Sequence, residues 1–103
     1  MTSLTAKQRA HLRKLAHHLE PVVLVGSDGV TDALLGSVAE AFNTRELLKV
    51  KLQQSAPTDV RAAAALIAAG VDGVHPVQTI GRTAVLYRRH PERPEITLPG
   101  RSG

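Results

Sequence analysis

Val22-Val23-Leu24-Val25-Gly26-Ser27-Asp28-Gly29-Val30-Thr31 is an apolar, β-branched run that stops at a glycine-bounded loop, with an amphipathic pattern directly behind it. It reads as a buried strand, a tight Gly-x-x-Gly loop and the N-terminus of a helix. Glycine lacks a Cβ, so the backbone there can turn with φ > 0 and a ligand can approach closely. The first N–H groups of the following helix have no intrahelical partners and sit at the positive end of the helix dipole, which suits a phosphate. The same motif is also what an ordinary strand-to-helix turn looks like, so the rest of the chain has to separate the two readings.

The chain has 103 residues, which fits one domain with a single core. It has no cysteine, so neither a disulfide framework nor a thiolate metal site can form, in keeping with a reducing cytoplasm. The N-terminal Met1-Thr2-Ser3-Leu4-Thr5 lacks the pattern of a secretory signal, and no apolar run approaches the ~20 residues of a membrane span. Thirteen Lys+Arg against nine Asp+Glu give a formal charge of +4, a balance that favours an anionic partner. Phe42 and Tyr87 are the only aromatic residues. A platform that stacks several bases on exposed rings is therefore excluded, and nucleic-acid binding would have to work through phosphates and charge.

Thr5 and Gln8 have capping-box spacing and open a first helix. Leu12, Leu15, Ala16 and Leu19 fall on its apolar face, and Lys7, His11, Lys14 and His18 form a stripe along the opposite side, with Arg9 and Arg13 on the flanks. The stripe contains no acid; it is either a solvated face or a functional basic surface. Pro21 starts the strand quoted above. Thr31 or Asp32 caps a second helix whose buried side is Val30, Leu34, Val38, Ala41 and Phe42. Leu47 to Gln53 alternates, with Leu48, Val50 and Leu52 on one face and Leu47, Lys49 and Lys51 on the other; the lysines either guard a sheet edge or contact RNA. Thr58 is expected to cap a third, alanine-rich helix that reaches Ala69, with Gly70 as its C-terminal cap. Val77–Ile80, Gly81-Arg82 and Thr83–Tyr87 read as a hairpin with a type II′ turn, leaving Arg82 at the tip. Ile96 and Leu98 are positioned to pack back on a domain spanning residues 1–98, and residues 99–103 are expected to be a disordered basic tail. The order α-β-α-β-α-β-β predicts a compact α/β domain: a four-stranded mixed sheet packed with three helices.

Four stretches in this order resemble the bacterial YhbY-like proteins, stand-alone members of the CRM (chloroplast RNA splicing and ribosome maturation) domain family. They are Leu4-Thr5-Ala6-Lys7-Gln8-Arg9 with Leu12 and Leu15-Ala16-His17; Pro21 to Thr31; Glu46-Leu47-Leu48-Lys49-Val50-Lys51; and Val77 to Arg88. The resemblance covers about Leu4 to Leu98. It implies a fold similar to the C-terminal domain of bacterial translation initiation factor three, and RNA binding in association with precursors of the large ribosomal subunit. The RNA face it implies comprises Gly26, Ser27, Asp28, Gly29, Lys7, Lys14, Lys49, Lys51 and Arg82; His11 and His18 of the basic stripe would add charge in acid. Asp28 departs from the family loop. A carboxylate beside a phosphate is repulsive by about 1 kcal/mol in water, unless it turns away to bond local N–H groups.

The sequence thus supports a non-catalytic, cytoplasmic, monomeric RNA-binding protein without cofactor or metal. A ribosome-associated protein-interaction module, docking through the third helix or the tail, is the alternative. Catalysis finds little support. Ser27 lacks the Gly-x-Ser-x-Gly frame of a nucleophile elbow, and His17 and His18 diverge on a helix with no Cys or carboxylate to join them and His11 at a metal.

Overall fold

A computed structural model describes residues 4–99. Its elements are α1 (Ala6–Ala16), β1 (Pro21–Val25), α2 (Asp32–Ala41), β2 (Leu47–Leu52), α3 (Val60–Gly70), β3 (His75–Ile80) and β4 (Thr83–Tyr87). The strands form a four-stranded sheet in the order β1-β2-β4-β3. β1 and β2 run parallel across the α2 crossover, and β4 pairs antiparallel with both β2 and β3. This is the mixed sheet with three helices that the pattern of elements predicts. Of the expected tail, residues 100–103 lie outside the described residues.

Alternation along β2 divides the molecule into layers. Leu48, Val50 and Leu52 join Val25, Val38, Phe42, Ile67 and Leu86 in a core beneath α2 and α3. Leu47 joins Leu12, Ala16, Val77, Val85 and Tyr87 in a second core beneath α1, on which Leu4, Leu19, Ile96 and Leu98 also pack. The return of Ile96 and Leu98 is therefore as expected. α1 is fixed at its start by the capping box: Gln8 N–H donates to Thr5 Oγ1 at 3.1 Å and Thr5 N–H to Gln8 Oε1 at 3.0 Å. Those bonds explain how a glutamine sits buried on the apolar side of the helix.

Several local expectations are corrected. β1 is half-buried, not buried: Val23 and Val25 point into the core, while Val22 and Leu24 are exposed, Leu24 by 54%. It is an edge strand, and α1 lies over β2, β4 and β3. Leu15, placed on the apolar side of α1, is also substantially exposed. Lys49 and Lys51 belong to an interior strand, so guarding a sheet edge cannot account for them. The cap of α3 is Asp59, whose carboxylate accepts from Ala62 N–H at 2.7 Å, rather than Thr58. Gly70 ends the helix without capping it; a Cβ there would lie 2.6 Å from Leu35 Cδ1, so its role is close approach of α3 to α2.

The Gly-x-x-Gly segment is a turn closed by Gly29 N–H donating to the Gly26 carbonyl at 3.0 Å. Gly29 is buried and left-handed, with φ 71°, and a Cβ on it would meet Pro57 Cγ at 3.1 Å. Gly26 has ordinary φ. Thr31 caps α2 by accepting from Leu34 N–H at 3.1 Å, with Asp32 in the first turn complementing the dipole. The hairpin turn carries its positive φ at Gly81, 57°, and not at Arg82, as a type II′ turn requires.

Glu46 has a structural role that its sequence context does not announce. It is a buried carboxylate whose oxygens accept from the backbone N–H groups of His90 (2.7 Å), Glu95 (2.8 Å) and Ile96 (2.7 Å). Its own carbonyl accepts from Arg88 N–H at 2.9 Å. Burial alone would raise its pKa, but the three N–H donors and the nearby His90 together hold it below its ordinary value of 4.5. The segment after β4 is thereby tied back to the body.

Stability measurements on three variants check these assignments. Glu46→Gln places an amide NH2 where a backbone N–H needs an acceptor and should cost about 2 kcal/mol at neutral pH, by denaturant unfolding. Because the folded pKa is depressed, that stabilisation is fully present above pH 4.5 and is lost as pH falls through the lower folded value. The wild-type and Glu46→Gln stabilities should therefore converge in acid. Gly29→Ala should cost about 1–2 kcal/mol from its left-handed backbone alone. Gly26→Ala should fall within about 0.5 kcal/mol of wild type, because the flexible Gln53 amide can yield.

Candidate nucleic-acid interface

Strand direction brings three loops to one end of the sheet. Gln53 N–H donates to the Val25 carbonyl at 2.9 Å and Leu52 N–H to the Arg82 carbonyl at 2.8 Å. Gly26, the end of β2 and the Gly81-Arg82 turn are thus neighbours. Lys51 pairs with Leu24 on one side and Thr83 on the other, one step from Arg82 and two from Gly26. Lys49 lies two residues further down β2 on the same face, about 7 Å away at strand spacing.

Beyond Lys49 the sheet meets α1. Ala10, Arg13, Lys14, Ala16 and His17 of the helix face Lys49, Gln78, Ile80 and Val85 of the sheet across an open groove of about 350 Å³. Three cationic side chains and a histidine line it, and no carboxylate does. Arg13, Lys14 and His17 are exposed and Lys49 is half-buried. Arg13 and Lys14 also occupy the last turn of α1, where positive charge is favoured by the helix dipole.

Among the residues singled out from sequence, the structure brings Lys14 and Lys49 together in the groove, puts Lys51 on the same sheet face as Lys49, and places Arg82 and Gly26 beside the end of β2. Lys7, His11 and His18 do not line the groove. Arg13 and His17 do, and the basic stripe did not include them. Ala10, Arg13, Lys14 and His17 are spaced i, i+3, i+4, i+7, so the second stripe is legible in the sequence. Periodicity shows which face of a helix is buried but not which flank overlooks uncovered sheet. Arg9 is otherwise engaged: its guanidinium donates to the carbonyls of Pro76 and Val77, binding α1 to the irregular part of β3.

In the glycine loop, Ser27 and Asp28 are exposed, while the Gly29 amide is already bonded within the turn. The Asp28 carboxylate makes no hydrogen bond among the described residues, so the local bonding considered for it is not formed. Neither aromatic ring is accessible: Phe42 is 3% and Tyr87 3% exposed. No helix among the described residues is long and apolar enough to cross a membrane.

Comparison with known proteins gives a consistent picture. The chain is 43% identical over 96 residues to the Probable RNA-binding protein YqeI of Bacillus subtilis, covering 93% of this chain and 99% of that one. It is 43% identical over 101 residues to an RNA-binding protein of Haemophilus influenzae, covering 96% and 98%. The solution structure of the hypothetical protein SAV1595 from Staphylococcus aureus superposes with a TM-score of 0.78 at 33% identity, covering 93% of this chain and 99% of that one. The CRS1 / YhbY (CRM) domain itself matches residues 4–88, and with these relatives along nearly its whole length the chain belongs to that family.

Proposed function

We propose that this chain is a non-catalytic RNA-binding protein that engages precursors of the large ribosomal subunit in the cytoplasm and assists rRNA folding or assembly. The observation that carries the reading is the groove between α1 and the sheet, where Arg13, Lys14, His17 and Lys49 gather without an acid. An uncompensated positive cluster shared by a helix flank and an interior strand serves neither the core nor the sheet edge, and it is what a phosphate backbone requires. Lys51, Arg82 and the exposed part of the Gly26–Gly29 loop extend the surface towards the strand ends, and Lys7, His11 and His18 flank it along the outer side of α1. The names of the relatives support RNA as the partner, and the family resemblance supports the large-subunit precursor. With both rings buried, the surface reads the shape and charge of folded RNA better than its sequence.

Binding should be strongly salt-dependent. Neutralising four phosphates through Lys14, Lys49, Lys51 and Arg82 gives a log–log slope of about −3. In filter binding to structured rRNA fragments, Lys14→Glu and Lys49→Glu should each weaken affinity about tenfold at low salt and flatten the slope by about 1. Unchanged affinity in both variants would remove this surface from consideration and favour the protein-interaction alternative.

A further inference from the structure

We infer that the groove between α1 and the sheet receives one unpaired nucleotide of the bound RNA, its base lying between the Arg13 side chain and the exposed Ile80, its phosphate held by Lys14 and Lys49. The inference rests on the RNA-binding reading above and specifies what that site takes. A charged groove can track the backbone alone, but it needs no apolar wall to do so. This one is concave, and its volume of about 350 Å³ falls at the lower end of ligand clefts, which start at about 300 Å³. Ala10 and Ile80 give it exposed apolar walls, with the buried Ala16 and Val85 behind them, and the Gln78 amide adds a donor and an acceptor suited to a base edge.

Phe42 and Tyr87 are buried, so an extruded base finds no aromatic platform. A guanidinium plane can take that place, and so can an imidazole. Arg13 and His17 are one turn apart on the flank of α1 that overlooks the groove. Ile80, which lines the groove with three cations, is 59% exposed, and a base lying on it would cover it. The other arginine on this flank, Arg9, is held by β3 carbonyls.

The test uses two RNA hairpins of the same length and closing loop, one fully paired and one carrying a single bulged adenosine replaced by a fluorescent adenine analogue. Wild-type protein should bind the bulged hairpin roughly fivefold or more tightly, the lower end of what one stacked base contributes, and the analogue's emission should change on binding. Arg13→Lys keeps the charge and loses the plane. It should bring the preference for the bulged hairpin within about twofold. Ile80→Thr, at an exposed strand position, should do the same. Equal wild-type affinity for both hairpins, or full preference in Arg13→Lys, overturns the pocket while leaving salt-sensitive RNA binding in place. Failure to bind either hairpin overturns both readings.

Discussion

Because side chains alternate along a strand, each residue of β2 faces one of two quite different environments, and the rest of the molecule is arranged around that division. Leu48, Val50 and Leu52 build the core under α2 and α3, while Leu47 anchors the core under α1. Lys49 and Lys51 stand on the α1 side, next to Leu47, in the middle of the sheet. A one-residue slip of β2 against β1 or β4 would put the lysines into the α2/α3 core and expose three leucine or valine side chains. Burying an unpaired ammonium costs several kcal/mol, so the pairing register and the position of the charges enforce each other.

The two cores differ in how completely they are covered. α2 and α3 close one face, but α1 alone cannot roof four strands, and it leaves Leu24 and Ile80 open to solvent. That shortfall creates the groove. Positive charges a strand step apart repel by about 0.6 kcal/mol per pair even in water, and a polar, charged, partly apolar depression is poor packing. Local choices that work against stability while agreeing with one another chemically are characteristic of a site rather than of a scaffold.

Much of this was legible in the residues. The Thr5–Gln8 capping box, the alternation of β2 and the Gly81-Arg82 turn each rest on a local rule with little competition, and each is present in the structure. What failed depended on tertiary context. Val22 to Val25 looks like a fully buried strand because every residue is apolar, yet at a sheet edge only alternate residues have a partner layer. Gly70 looks like a C-terminal cap because helices often end at glycine; its purpose became visible only when Leu35 of another helix was found against it. Thr58 and Asp59 can both cap, and sequence does not say which will have β-region backbone. Glu46 is a charged residue beside a strand in sequence, and only the chain returning 44 to 50 residues later shows why it is buried.

The same returning segment bears on how firmly the groove is held. The helical wall moves with α1, so its geometry is only as definite as the seat of that helix. Arg9 ties one side of α1 to β3, Leu12 and Ala16 fix it to the sheet beneath, and Ile96 and Leu98 close the same core from outside. Ile96 in turn is held by the Glu46 carboxylate, which leads directly into β2 and so to Lys49. Helical wall and strand wall are thus referred to one strand from two directions. A site whose charges are fixed before the ligand arrives loses less conformational freedom on binding. For a small domain with four cationic or imidazole groups in its groove and both rings buried, that rigidity is what would let a handful of contacts recognise the proposed RNA partner.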